Sequence, residues 1–167
     1  MRNIVLVGFM GTGKTMLAKF LAQDLGMEYI STDDLIEEKE NRSINDIFKD
    51  SGEEFFRKVE KNVVKEVSER DNCVIDTGGG VVLDENNMID LKRTGIVVCL
   101  WAETRVIFER VKKHGHRPLL NTVNPEDRIK EMLEYRRPFY EKADVNIDTT
   151  SGDVSVVIAS IKKSIAK

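Results

Sequence analysis

Two cysteines in 167 residues, Cys73 and Cys99, are too few for a disulfide framework, and neither belongs to a C-x-x-C pair. Each sits in an apolar run, so both read as small buried hydrophobes in a reducing compartment. No apolar run approaches the ~20 residues of a membrane span. A secretory leader is not expected either: a glycine motif occupies the end of the first apolar stretch, and no small-residue cleavage site follows it. A basic excess is also missing. Against 26 Lys and Arg stand 29 Asp and Glu, a formal net charge of −3, which argues against a nucleic-acid binder. Internal repeats, low-complexity tracts and linkers are absent, so one domain over residues 1–167 is expected, long enough to bury a sizeable core. The expectation is a cytoplasmic protein that engages neither membrane nor nucleic acid.

What the chain does have begins at Gly8-Phe9-Met10-Gly11-Thr12-Gly13-Lys14-Thr15, which fits the phosphate-binding pattern G-x-x-x-x-G-K-[ST]. The context fits too. Ile4-Val5-Leu6-Val7 before it reads as a buried strand, and Leu17, Phe20, Leu21 and Leu25 after it recur at helical spacing until Gly26 supplies a stop. Strand, glycine loop and helix are the setting this motif requires. Glycines let successive backbone N–H groups turn inward around phosphate oxygens, and the helix N-terminus adds a favourable dipole. Lys14 is expected to reach the outer phosphates and the Thr15 hydroxyl to ligate Mg²⁺. Nucleotide contacts are thus expected from Gly11, Thr12, Gly13, Lys14, Thr15 and Met16.

Further along, residues 27–30, 73–75, 96–100 and 145–148 read as strands, with helical patterns between them. Gly52 separates a short apolar face around Ile44, Ile47 and Phe48 from a longer helix whose Phe55, Phe56, Val59, Val63, Val64 and Val67 point largely one way. Residues 113–124 carry no periodicity and read as a lid. Helix then returns from Glu126 to Lys142, bent or restarted at Pro138. Alternating strands and helices predict an α/β fold, a three-layer α/β/α sandwich on a five-stranded parallel sheet, of the P-loop NTPase and nucleoside-monophosphate-kinase-like kind. Ligands of such sheets sit beyond the carboxyl ends of the strands. Three polar clusters follow strands: the glycine loop, Ser31 to Asp34, and Asp76 to Gly80. All three should converge on one face.

The later stretches taken together resemble the shikimate kinase family. They are Asp33-x-x-Ile36-Glu37, Arg42-Ser43-Ile44 with Ile47-Phe48, Gly52-Glu53 with Phe56-Arg57 and Glu60, Gly78-Gly79-Gly80, Arg117-Pro118-Leu119-Leu120, and Arg136-x-Pro138-x-Tyr140. The resemblance runs from Ile4 to about Asp148 in the family's order. It implies ATP-dependent, Mg²⁺-requiring phosphorylation of the 3-hydroxyl of shikimate by a monomer, a step towards chorismate and the aromatic amino acids. It also implies residue roles. Arg57 and Arg136 hold the acceptor carboxylate, Gly79 and Gly80 bring backbone against its ring, and Asp33 binds the hydroxyls and is a candidate acceptor for the proton. Lys14 and Arg117 neutralise charge on the transferred group, and Arg110 packs over the adenine. The substrate segment is about 31–60 and the lid about 113–124. Such transfer needs positioning and charge neutralisation more than covalent chemistry.

Blander readings stand beside these. Arg57 follows Phe56 on an amphipathic helix, where a solvated arginine is ordinary. Arg136 and Arg137 are adjacent, and only the R-x-P-x-Y spacing favours Arg136. His114 and His116 flank a glycine without a carboxylate or cysteine partner and read as surface residues, and Asp34 and Glu37 read as helix-start acids. Two rival functions also stand: a related kinase for another acceptor such as gluconate, and a module that holds nucleotide without transferring phosphate. One position departs from the family, which usually reads Asp-x-Asp after the second strand; here Ser31 occupies the first place. Asp76, at the end of the third strand, is the candidate replacement on the metal side, together with Thr15.

Overall fold

The computed structural model describes residues 2–114 and 122–166. Five strands form one parallel sheet in the order β2-β3-β1-β4-β5. They are β1 (Asn3–Gly8), β2 (Glu28–Ser31), β3 (Cys73–Asp76), β4 (Gly95–Trp101) and β5 (Val145–Asp148). Among the described residues, seven α-helices connect and flank them: α1 (Lys14–Leu25), α2 (Thr32–Glu40), α3 (Ile44–Val67), α4 (Glu85–Thr94), α5 (Thr104–Lys113), α6 (Pro125–Tyr140) and α7 (Val154–Ile165). The expected three-layer sandwich is therefore present.

The pleat divides the core. Ile4 and Leu6 of β1, Val74 of β3 and Val98 and Leu100 of β4 pack beneath α1 and α7. Their alternates Val5, Val7, Ile75, Val97 and Cys99 pack against α3, α5 and α6. Period-two alternation between two apolar faces is what a sheet covered on both sides demands. Both cysteines are buried and free, as expected.

Several expectations shift by local physics. Phe20 does not join the buried stripe of α1 and is 50% exposed. The stripe runs through Leu17, Ala18, Leu21 and Ala22, whose two alanines let the helix lie close to the sheet. Phe55 is likewise exposed, with Arg42 over its ring at 5.4 Å, while Phe56 is buried. The polar cluster after β2 is mostly helical: α2 starts at Thr32, capped by the Ser31 hydroxyl, which accepts from the Asp34 N–H at 3.2 Å. Gly52, by contrast, does separate two helical segments as expected: at φ 83° and ψ 171° it is non-helical, a conformation that glycine adopts freely, and α3 is two helices meeting at that kink. Pro138 lies in the last turn of α6, which runs through it unbroken to Tyr140.

At the end of the sheet remote from the strand carboxyl ends, Asn3 acts as a clip. Its side chain, 1% exposed, donates to the Arg70 carbonyl at 2.7 Å and accepts from the Cys73 N–H at 2.9 Å. Removing it strands two backbone groups. Asn3→Ala should therefore lower unfolding free energy by about 2 kcal/mol in a denaturant titration. The effect should be confined to stability, because the clip lies at the opposite end of the sheet from the strand carboxyl ends.

Candidate active site

Strands β2, β3 and β1 are neighbours, so the loops leaving their carboxyl ends open side by side into one cavity of about 1170 Å³. The loop after β1 turns through Gly11 at φ 77° and Gly13 at φ 92°, and Gly13 is the cap of α1. Lys14 curls over this loop, its Nζ donating to the Gly8 and Phe9 carbonyls at 2.8 and 2.9 Å. Gly11, Thr12, Gly13, Lys14, Thr15 and Met16 all line the cavity, as expected of nucleotide contacts. The Thr15 hydroxyl donates to Asp76 Oδ2 at 2.7 Å.

The triple-glycine loop after β3 is where the expected acceptor groups meet. A Cβ added at Gly78 would lie 2.8 Å from Asp33 Oδ1, and one at Gly79 would lie 3.4 Å from Arg136 Nη1. At Gly80 it would collide with the Arg57 guanidinium. Asp33, Arg57 and Arg136, which lie on three different helices, thus reach one backbone segment through space that side chains would fill. Arg137, by contrast, packs over Trp101 at 5.5 Å. The geometry therefore puts Arg136, and not its neighbour, on the cavity.

Two buried acids, Glu60 and Asp76, and the half-buried Asp33 lie here. Burial pushes the Asp33 carboxyl up to about 6, the nearby Asp76 adds to the push, and Lys14 partly opposes it. Burial also raises Glu60, against the pull of Arg57, and raises Asp76, against the Thr15 hydrogen bond, Lys14 and Tyr29. Glu60 is 1% exposed; its Oε1 accepts from Arg57 Nη1 at 2.8 Å, while its Oε2 has no hydrogen-bond partner among the described residues. Glu53 Oε1 holds the other guanidinium nitrogen at 3.4 Å.

On the opposite flank, Arg110 bridges two loops. Its Nη1 donates to the Gly11 carbonyl at 3.1 Å and its Nη2 to the Thr149 carbonyl at 2.6 Å. It lines the cavity beside Gly152. Arg117 and His116, with residues 115–121 of the expected lid, lie outside the described residues. His114, at the end of α5, is exposed.

Four residues of consequence were given no role from the sequence. Glu60 and Tyr140 stood within recognised motifs, yet only the fold shows Glu60 bracing Arg57 and the Tyr140 hydroxyl donating to the Gly79 carbonyl at 2.7 Å. Thr149, whose hydroxyl donates to the Thr12 carbonyl at 2.9 Å, is linked to the glycine loop across 137 positions. Tyr29 donates to Asp76 Oδ2 at 3.2 Å. Neither Thr149 nor Tyr29 carried a local signal.

Comparison with known proteins agrees with this geometry. A family model described as "Shikimate kinase" matches residues 10–166. The shikimate kinase of Thermodesulfovibrio yellowstonii is 50% identical over 149 residues, covering 89% of this chain and 86% of that one. The shikimate kinase of Caldanaerobacter subterraneus subsp. tengcongensis is 44% identical over all of this chain and 98% of its own. Among solved structures, shikimate kinase from Acinetobacter baumannii in complex with shikimate superposes with a TM-score of 0.93 at 36% identity, over 99% of this chain and 93% of that one. The resemblance first drawn from scattered motifs holds across the whole sheet and its loops, and the chain belongs to the shikimate kinase family.

Proposed function

We propose that this chain is a shikimate kinase that moves the γ-phosphoryl group of ATP to the shikimate 3-hydroxyl, giving shikimate 3-phosphate and ADP. The observation that carries the residue assignment is the convergence of Asp33, Arg57 and Arg136 on the 78–80 loop, in the same cavity as Lys14. A planar guanidinium suits a carboxylate because it offers parallel N–H donors, and two of them make a fork for one small anion. Glu60 and Glu53 fix Arg57 from behind.

The roles are those that the family resemblance implies, and the placement of the described residues supports them. Gly11 to Met16 cradle the triphosphate, with Lys14 swinging from its loop carbonyls to the outer phosphates. Arg110 forms one wall of the nucleotide end. Arg57 and Arg136 clamp the acceptor carboxylate, Gly79 and Gly80 offer backbone to the ring, and Asp33 orients the attacking hydroxyl and can accept its proton. Residues of about 31–60 form the acceptor segment. Residues 113–124 act as the lid, and Arg117 keeps the role that the family resemblance gives it, charge neutralisation on the transferred group. The whole works as one domain and as a monomer in the cytoplasm.

The donor set also fits a magnesium ion. Among the described residues no three His, Cys, Asp or Glu side chains gather into a metal cage. Mg²⁺ prefers one or two protein oxygens, with phosphates and water completing its shell. Thr15 and Asp76 offer such a pair: the hydroxyl gives its proton to Asp76, which leaves its lone pairs for a cation. When bound, Mg²⁺ supplies charge neutralisation on the phosphate oxygens.

Three measurements test these assignments. A coupled ADP-release assay should show shikimate-dependent turnover. Arg136→Ala should raise the shikimate KM by at least about tenfold while the ATP KM moves little, as expected when a charge-assisted fork is halved. Equal loss on both substrates would remove Arg136 from the acceptor. In a second test, Asp76→Asn should raise the Mg²⁺ concentration needed for half-maximal rate, and an unchanged requirement takes Asp76 off the metal.

The third test is pH. The folded Asp33 carboxyl, near 6, holds its proton to higher pH than the unfolded one at 3.8. The folded state therefore binds more protons between those values, and stability falls as pH rises through that window. Asp33→Asn should stabilise the protein at pH 7.5 by about 1–3 kcal/mol, and by little below pH 4. It should also abolish acceptor turnover, and wild-type kcat/KM for shikimate should decline below about pH 6. Thermal melts at the two pH values decide the stability claim.

A further inference from the structure

The acid assigned to the metal side sits on β3, and its hydrogen bonds differ from what an acid on β2 could make. Ser31 and Asp76 are direct partners across the β2–β3 pair, and Tyr29 pairs with Val74. Tyr29 is therefore the diagonal neighbour of Asp76 on the same face, a separation that only a long side chain spans. Its phenol does span it, donating to Asp76 Oδ2 at 3.2 Å. The same oxygen accepts from Thr15 at 2.7 Å, so two hydroxyls from two different elements converge on one carboxylate oxygen. The ring is held in turn by α1, with Lys19 Nζ 5.4 Å from its centroid. The Ser31 hydroxyl accepts from the Asp34 N–H as the cap of α2 and also interacts with the Tyr29 phenol.

From this arrangement we infer that Tyr29 is a positioning residue for the metal side of the site: its phenol locks the rotamer of Asp76 so that the carboxylate is already aimed at the Thr15 hydroxyl and the phosphates. The inference rests on the assignment of Asp76 to the metal. A carboxylate at the end of a short strand, tied by one hydroxyl alone, keeps a torsional freedom that must be lost when a cation binds. A second donor removes that freedom in advance. Tyr29 touches neither substrate nor phosphate in this account; it acts only through Asp76.

The test is a double-mutant cycle on Tyr29→Phe, which keeps the ring and deletes the hydroxyl, and Asp76→Asn. The readout is Mn²⁺ affinity for the enzyme–ADP complex, taken from the free-Mn²⁺ EPR signal, so no turnover is needed. Tyr29→Phe should weaken Mn²⁺ binding about three- to tenfold, the worth of one hydrogen bond. ADP affinity without metal and shikimate KM should stay as in wild type. In the Asp76→Asn background, Tyr29→Phe should have no further effect, because the hydroxyl has lost the group it positions. Additive losses, or a lowered Tm with unchanged Mn²⁺ affinity, would mean a merely structural phenol and overturn the inference. If Asp76→Asn itself leaves Mn²⁺ affinity intact, the metal assignment of Asp76 fails and the role of Tyr29 fails with it. If Asp76→Asn weakens binding and Tyr29→Phe does not, only the inference about Tyr29 is lost.

Discussion

Side chains are missing where three charged ones need room. Residues 78–80 carry none, and into that space come the Asp33 carboxylate, the Arg136 guanidinium and the Arg57 guanidinium. The loop stays in place because Tyr140, at the end of the helix that carries Arg136, donates to the Gly79 carbonyl, and because the Gly78 N–H donates to Thr32 at the start of α2. The start of α2, which carries Asp33, and the end of α6, which carries Arg136, thus also brace the backbone that these side chains reach. The parallel sheet delivers the remainder, since β2, β3 and β1 end side by side.

Electrostatics explains why this centre is strained as well as assembled. Desolvation is the largest influence on each of Asp33, Glu60 and Asp76, and it works against the charge each must carry. Lys14 and Arg57 offset part of that cost, while the mutual repulsion of Asp33 and Asp76 adds to it. An anionic acceptor entering such a place needs cations not already consumed. Arg57 is shared between Glu53 and Glu60, which fixes its plane but spends two of its directions. Arg136 lies over the Phe9 ring at 5.6 Å and makes no ion pair within 4 Å among the described residues, though its charge also acts on Glu60 and on the Tyr140 phenol. The two arginines therefore contribute differently: one is rigidly placed, the other carries the less compensated charge.

Much of this was legible in the sequence, for reasons that differ by scale. The glycine loop was readable because its chemistry is local: strand, turn and helix follow one another within a few residues. The three central strands were readable because a sheet covered on both faces demands nearly continuous apolar runs, whereas the edge strands β2 and β5 carry only short apolar stretches. Local signals failed where packing chose between equivalents. Phe20 has helical spacing with Leu17, yet Ala18 and Ala22 decided which side of α1 meets the sheet. The Ser31 to Asp34 cluster marked a strand end, but it is mostly helical, with α2 starting at Thr32 after the Ser31 cap. Contacts across long separations left no trace at all. Arg110 with Thr149 and Tyr29 with Asp76 are pairings of register and topology, visible only once the strands are laid in order.

Ser31 and Asp76 are cross-strand partners, so under the proposed assignment of Asp76 to the metal the charge sits one strand away from position 31. Adjacent strands lie ~4.8 Å apart, so moving an acid to its cross-strand partner displaces the charge by about one strand spacing. A long side chain absorbs that displacement. What changes is the company the charge keeps. An acid at position 31 would have to serve as the cap of α2 or forgo that role, whereas at position 76 it lies beside Thr15 and within reach of Tyr29. The relocated acid is also more deeply buried, 5% exposed, and so is costlier to ionise unless donors surround it. Two hydroxyls on one oxygen answer that cost. Acids on both strands at once would set like charges directly opposite each other, which destabilises a strand pair. With Asp76 in place, a neutral residue at position 31 is the arrangement that the sheet itself favours.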